Sequence, residues 1–273
     1  LYKINQPKFI LMKNNIIVFT DLDGSLLNTQ NFKFEKAKSI IKKIIKDSNF
    51  IIPNSSKTEL EIKNFIKKLK IKLPFISENG SEIHNLNTIE RKLPKKITIA
   101  RDRNTILKIF LKNMSKEILI KCDFLYKMNN KKKSKILGLK EKDLIASSKR
   151  KFTYPFIFKG DNKLKKLLFK KTYKAGLGIQ QGGRVMNLGD NVTKGMAIKK
   201  TLNFIKSVNK NKITTIAVGD NQNDLSMLKV VKYPCIVSNR SIKINNKNKI
   251  YTNKKAPEGW IEVVKKAMDK INK

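Results

Sequence analysis

The sequence predicts an α/β fold, a core of parallel strands with helices on its faces, interrupted by an inserted α+β module. Three observations carry this reading. The apolar run Ile16-Ile17-Val18-Phe19 ends in Asp21-Leu22-Asp23-Gly24, the pattern of a buried strand leaving the edge of a sheet. Strand and helix patterns alternate through the first 80 residues and again towards the C-terminus. The stretch between them is different in kind and carries a hairpin signal at Gly182-Gly183.

Taken in order, the first strand is followed by Phe34, Ala37, Ile40, Ile41, Ile44 and Ile45 at helical spacing. Phe50-Ile51-Ile52 is a short strand. Ser56 with Glu59 three residues on reads as a capping box, opening a helix with Ile62, Phe65, Ile66 and Leu69 on one face. Leu73-Pro74-Phe75-Ile76 returns as a third strand into Ser77-Glu78-Asn79-Gly80. The middle segment holds a basic loop from Asn129 to Lys135, a strand at Phe156-Ile157-Phe158, a helix marked by Leu164, Leu167 and Leu168, and a hairpin in which Leu177–Gln181 and Arg184–Leu188 flank a two-residue turn. Past it, Ala197, Ile198, Leu202 and Ile205 mark a helix entered through Asp190-Asn191-Val192-Thr193-Lys194-Gly195. Ile213 to Val218 is a β-rich run ending at Gly219-Asp220. A helix beginning near Asn223, a strand at Cys235-Ile236-Val237 and a last helix close the chain. Pro257 suits the first turn of that helix, and Trp260, Val263, Val264, Ala267 and Ile271 form its apolar stripe. The expected division is a discontinuous core over 12–85 and 188–273, an inserted cap over 86–187, and an N-terminal extension over 1–11.

The 273 residues carry a formal charge of +40. Such a surface attracts polyanions, but Arg stands at only six positions, 91, 101, 103, 150, 184 and 240, and the lysines are spread along the whole chain. Lys, Asn and Ile share A/T-rich codons, so compositional drift accounts for the charge without a specific nucleic-acid partner. The positive field would still hasten encounter with a small anion. No stretch reaches the ~18 apolar residues of a membrane span, and Phe9-Ile10-Leu11-Met12 is shorter than the ~7–15-residue apolar core of a secretory signal. Cys122 and Cys235 lack metal or redox spacing and read as free buried thiols. A cytoplasmic location is expected.

Four polar pieces fall at the C-terminal ends of predicted strands, where open α/β sheets bind ligands. They are Asp21 with Asp23, Ser55, Lys194, and Gly219-Asp220-Asn221-Gln222-Asn223-Asp224. Paired carboxylates on one loop repel unless a cation lies between them, and Mg²⁺ takes a few protein oxygens while keeping its waters. Asp21 is the candidate nucleophile and Asp23 the candidate acid/base. Those roles need opposite protonation states, so Asp23 is expected to be the easier of the two to protonate. Asp21, Asp23, Asp220 and Asp224 are the candidate metal residues, Asp224 through Lys194 or a metal-bound water. Ser55 and Lys194 are the candidate phosphate ligands, with Ser56 left to cap the helix. The lone histidine, His84, reads as structural and Trp260 as core.

These pieces resemble the four motifs of the haloacid-dehalogenase (HAD) phosphatase superfamily. With Ser55-Ser56-Lys57-Thr58, Glu78-Asn79-Gly80, Gly182-Gly183-Arg184 and Ala256-Pro257-Glu258-Gly259-Trp260, the chain from about Met12 onward resembles the mannosyl-3-phosphoglycerate phosphatases. The resemblance implies a HAD-like Rossmannoid core with a cap inserted after the third strand. It implies an Mg²⁺ cofactor, with the Asp23 backbone carbonyl as one ligand. It also implies a small-molecule phosphorylated glycosylglycerate as substrate. The glycerate carboxylate suits a bidentate Arg. Arg184 at the G-G-R position is the first candidate and Arg150 the second. Asn79 either positions loops or touches substrate. Arg150-Lys151-Phe152-Thr153-Tyr154-Pro155-Phe156 departs from the family's R-E-x-S-E-P-F by losing two acids, which brings glucosyl-3-phosphoglycerate in beside the mannosyl compound. A broader sugar-phosphate phosphatase and a nucleic-acid-binding protein on an inactive scaffold are the rival readings.

Overall fold

The computed structural model describes residues 14–239 and 241–272; the extension expected over residues 1–11 lies outside them. The core is a five-stranded parallel sheet. Its first strand, β1 (Asn14–Thr20), leads through α1 (Lys38–Lys46) to β2 (Phe50–Pro53) and α2 (Glu59–Leu69). Side chains alternate across β1: Ile16 and Val18 pack with Ile51, Phe75 and Trp260 on one face, Ile17 and Phe19 with Ile52, Ala197 and Ile198 on the other. Burial on both faces is what an uninterrupted apolar strand requires, and each such side chain contributes about 1.5–3 kcal/mol.

The capping box of α2 is Thr58 with Glu61, not Ser56 with Glu59. Glu61 N–H donates to Thr58 Oγ1 and Thr58 N–H donates to Glu61. Both candidate boxes have the required spacing; the chain stays extended through Thr58, which moves the helix start two residues on. The third strand also differs from expectation. β3 (Phe75–Ser77) does not lengthen the parallel sheet; just past β2, Asn54 bridges Ile76 and Ser55 N–H donates to the Ile76 carbonyl at 3.1 Å. It opens an antiparallel sheet with β4 (Glu82–His84) and β5 (Lys96–Thr98). His84 is buried there, stacked on Phe75 at 4.3 Å and bonded to Ser77 and Glu82, a structural placement.

The inserted segment runs through α3 (Arg103–Asn113), α4 (Lys116–Leu119), β6 (Cys122–Phe124), α5 (Asn130–Leu137), α6 (Glu141–Ser148), β7 (Tyr154–Phe158), α7 (Asn162–Lys174), β8 (Leu177–Gln181) and β9 (Met186–Asp190). Its sheet is antiparallel, in the order β6-β7-β9-β8, over a second core of Ile106, Phe110, Phe156, Leu168 and Leu188. Asn129–Lys135, expected to be a loop, is mostly helix. The Asn129 side chain accepts from Lys132 N–H, Gly138 ends α5 at φ 62°, and lysines between them are good helix formers. The hairpin pairs Gln181 with Met186, so its loop has four residues, 182–185, rather than two, with Gly182 N–H donating to Val185. β5 pairs with β4 as far as Thr98, and β9 continues to Asp190, past the expected bounds at 86 and 187. Arg101 clamps the two crossings together through Asp190, from Nη2 at 2.6 Å and Nε at 3.0 Å.

The chain re-enters the core at α8 (Lys194–Val208) and continues through β10 (Lys212–Gly219), α9 (Leu225–Leu228), β11 (Tyr233–Val237), β12 (Ile250–Thr252) and α10 (Glu258–Asn272). β10 pairs beside β1 so that Thr20 lies opposite Val218. Asp21 and Asp220 therefore leave neighbouring strands at the same edge. Trp260, fully buried, donates from Nε1 to Thr20 Oγ1 at 2.9 Å and pins α10 to the end of β1. Cys122 and Cys235 are free and buried. Among the described residues, no helix is long and apolar enough to cross a membrane.

Candidate active site

At the end of β1, Asp21 N–H donates to the Val218 carbonyl at 2.9 Å, tying the loop to β10. The loop turns at Gly24, φ 86°, where a Cβ would lie 2.3 Å from Asp220 Oδ2. Glycine is thus required both by the backbone and by the approach of the two acidic loops. Ser25 Oγ donates to Asp220 Oδ1 at 2.7 Å. Carboxylate oxygens of Asp21, Asp220 and Asp224 all lie within 4.8 Å of one another.

Lys194, presented at the start of α8 after the cap residue Thr193, has a side chain with no solvent exposure. Its Nζ donates to Asp21 Oδ1 at 2.6 Å and to Asp224 Oδ1 at 2.7 Å. Asp224 Oδ2 accepts the backbone N–H groups of Asp220 and Asn221, each at 3.0 Å. Both Asp224 oxygens thus accept hydrogen bonds that shape the site, while Asp21, Asp220 and Asp224 together remain the carboxylates grouped closely enough to hold a cation. Burial pushes Asp21 up to about 7 against the opposing pull of Lys194. Burial, with repulsion from Asp224 and Asp21, pushes Asp220 up to about 8. Burial works against charge on Lys194, yet the attraction of Asp21 and Asp224 prevails and its pKa is raised. One lysine does not neutralise three converging carboxylates. An all-oxygen donor set with surplus negative charge fits a hard divalent cation.

Asp23 points elsewhere. Its Oδ2 pairs with Lys57 at 2.8 Å, while Oδ1 is buried with no partner. Burial favours the protonated form of Asp21, the carboxylate that the nucleophile's role needs ionised. Lys57, one lysine among many in the sequence, also pairs with Glu61 at 3.7 Å and lies over the Phe32 ring at 5.2 Å. Only its place in Ser55-Ser56-Lys57-Thr58 could have singled it out.

A cavity of about 350 Å³ covers the cluster, lined by Asp21, Asp23, Lys57, Arg150, Arg184 and Asp220 among others. Ser56 lines it too, whereas Ser55 is fully buried with its Oγ 3.4 Å from the Lys57 N–H. Arg184 reaches from the cap hairpin to the core, donating to the Thr29 carbonyl at 2.7 Å and to the Leu137 carbonyl. Arg150 donates to the Ser56 carbonyl and to Thr153 Oγ1, each at 3.0 Å, and its buried Nε has no partner. Asn79 is buried and bonds Asn223, a lining residue, rather than lining the cavity itself. Where the cap segment departs from R-E-x-S-E-P-F, Lys151 and Thr153 face the core, Lys151 pairing with Glu59 at 2.6 Å and Thr153 Oγ1 donating to Glu78 at 2.6 Å, while Tyr154 is buried in the cap's own core and donates to Asn104 Oδ1 at 3.3 Å. The departures therefore bear on how the cap sits, not directly on the cavity wall.

Residues 18–264 match the model of the haloacid dehalogenase-like hydrolases. The chain belongs to that family. It is similar to a glucosyl-3-phosphoglycerate/mannosyl-3-phosphoglycerate phosphatase from Persephonella marina, 26% identical over 94% of this chain and 99% of the relative. A mannosyl-3-phosphoglycerate phosphatase from Pyrococcus furiosus is 28% identical over 81% of this chain and 90% of its own length. A crystal structure of a Thermoplasma acidophilum protein shares the fold, with a TM-score of 0.66 at 18% identity over 92% of this chain and 97% of that one. The protein is a HAD-like phosphoric monoester hydrolase, and its acidic cluster is one that could hold a metal ion.

Proposed function

We propose that this phosphatase hydrolyses mannosyl- or glucosyl-3-phosphoglycerate to the glycosylglycerate, with Mg²⁺ as its metal. The observation that carries the reading is the cluster of Asp21, Lys194, Asp220 and Asp224 beneath a capped cavity of about 350 Å³. A cavity of about 350 Å³ with a few convergent charged groups has the size and lining of a small-molecule site. The names of the relatives supply the substrate class.

In this reading an Asp21 oxygen forms a bond to phosphorus as the bond to the glycerate oxygen breaks, and the departing alkoxide takes a proton from Asp23. Asp23 then removes a proton from water, whose oxygen attacks phosphorus and releases orthophosphate and free Asp21. An Asp23 Oδ1 with no hydrogen-bond partner supports that role. Lys194 and the Ser55-Ser56 loop hold phosphoryl oxygens, where a protein's contribution to phosphoryl transfer is largely electrostatic. Asp21, Asp220 and the Asp23 backbone carbonyl would hold the cation, which supplies positive charge for an anionic substrate to approach an anionic nucleophile.

Phosphate release should be measured from both glycosyl-3-phosphoglycerates and from a panel of simple sugar phosphates, with and without Mg²⁺. One of the two glycosyl compounds should be preferred by at least tenfold in kcat/KM, with activity lost on chelation. Equal turnover of simple sugar phosphates would favour a broader phosphatase, and binding to nucleic acid that survives moderate salt without turnover would favour the scaffold reading.

A stability experiment tests the cation separately. Asp21 and Asp220 have folded pKa values raised above that of a free carboxyl. Their contribution is present at low pH and is lost as pH rises through about 7 to 8. In chelator the melting temperature should therefore fall between pH 5 and pH 8. Mg²⁺ should restore it at pH 8 and do little at pH 5. A melting temperature indifferent to Mg²⁺ at pH 8 would remove the cation from this cluster.

A further inference from the structure

The turn Glu78-Asn79-Gly80 has backbone in the left-handed region at three consecutive residues, φ 45°, 60° and 104°. Two of them are not glycine, a conformation costing about 1–2 kcal/mol per residue that persists only where the surroundings impose it. What imposes it can be read contact by contact. On the core side, Asn79 N–H donates to the Ser55 carbonyl at 2.9 Å, and the Asn79 side chain accepts from Asn223 on the acidic loop at 3.2 Å. Gly80 lies against the residues that present Lys194: a Cβ there would meet the Thr193 carbonyl at 2.5 Å. The turn is thus bolted to the loops bearing Ser55, Lys194 and Asp220.

On the cap side, the Glu78 carboxylate, 2% exposed, accepts three hydrogen bonds from one short stretch of the cap. They come from Lys151 N–H at 2.8 Å, Phe152 N–H at 3.2 Å and Thr153 Oγ1 at 2.6 Å. A buried carboxylate is tolerated only with such donors, and bonds to an ionised acceptor are about twice as strong as neutral ones. Arg150, next to this stretch, lines the cavity. Other ties join cap and core as well: Thr58 Oγ1 donates to the Ala146 carbonyl at 2.9 Å in a buried contact, and Arg150 donates to the Ser56 carbonyl at 3.0 Å, but each is a single bond. Arg184 to Thr29 and Lys151 to Glu59 both involve solvent-exposed partners.

We propose that Glu78 is the positioning residue that registers the cap on the catalytic cluster, so that the wall carrying Arg150 closes at a fixed distance from Asp21 and Lys194. Asn79 and Gly80 fix the turn to the core; Glu78 fixes the cap to the turn. The short crossings near residues 100 and 190 tether the cap to the core. The proposal rests on the phosphatase assignment but not on the identity of the sugar.

The test compares Glu78→Ala and Glu78→Gln with the unaltered protein on two substrates. One is p-nitrophenyl phosphate, small enough to need no contact with the cap. The other is whichever compound of the glycosyl-3-phosphoglycerate and sugar-phosphate panel the unaltered protein turns over best. For Glu78→Ala, kcat on the large substrate should fall at least tenfold while p-nitrophenyl phosphate turnover changes less than threefold. Glu78→Gln, retaining one acceptor oxygen, should fall between. Hydrogen exchange at the Lys151 and Phe152 amides should accelerate at least tenfold in Glu78→Ala. Parallel loss on both substrates would indicate a merely structural residue, and unchanged turnover of the large substrate would remove the registering role. Either result overturns the proposal. If neither glycosyl-3-phosphoglycerate is a substrate, the substrate reading fails alone, because the ratio is then taken on a sugar phosphate.

Discussion

Asp21→Asn should abolish phosphate release from every substrate, by at least on the order of 10³-fold, while leaving the fold intact. The amide is isosteric but cannot attack phosphorus. The structure adds a sharper expectation about stability. Burial disfavours the charged Asp21, so removing the charge relieves a cost instead of creating one. Lys194 keeps its bond to Asp224 at 2.7 Å. The variant should melt at or above the temperature of the unaltered protein at pH 8. Steady-state phosphate release and a thermal melt on one preparation check both halves. Turnover above a tenth of the original would take Asp21 out of the nucleophile's place, and a large drop in melting temperature would show that its role is mainly structural.

Lys194→Met has the opposite balance and should damage both activity and stability. The ammonium has no solvent exposure and bonds carboxylates of two separate loops. Its removal leaves converging carboxylates without their internal cation, and breaking a buried ion pair from one side costs about 3–5 kcal/mol. For a chain of this size that is a fall of roughly 10 °C in melting temperature. Loss of Lys194 also takes away the attraction that opposes the rise of Asp21, so less of the nucleophile is ionised at neutral pH. The sign with pH follows: with the carboxylates harder to charge, the variant should recover stability at pH 5 relative to pH 8. Circular-dichroism melts at the two pH values, with and without Mg²⁺, would show this. A variant that melts normally at pH 8 in chelator would mean the carboxylates do not depend on Lys194.

Much of this was legible along the chain. Asp21, Asp220 and Lys194 each sit one step beyond a strand or at the first residue of a helix, and those positions follow from apolar periodicity and caps. The misreadings share a cause. Two capping boxes, Ser56 with Glu59 and Thr58 with Glu61, satisfy the same local rule, and the longer extended path of the chain chooses between them. Leu73-Pro74-Phe75-Ile76 has the composition of a strand, but composition does not say which sheet it joins. The lysine-rich run after Asn129 looked like loop because it lacks an apolar stripe, and α5 indeed buries none of its side chains.

Periodicity is a short-range property, so the sequence by itself determined the order of the elements, the strand ends that carry acid and the helix that carries Lys194. Partner choice in space is not short-range. Only the tertiary structure decided that Asp224 grips Lys194, that Lys57 among so many lysines is the one facing Asp23, and that Glu78 accepts from the cap. Each of these is a charge taken out of water, where the nearest opposite charge or N–H dominates its energy. Which group is nearest is set when strands distant in the chain are laid side by side.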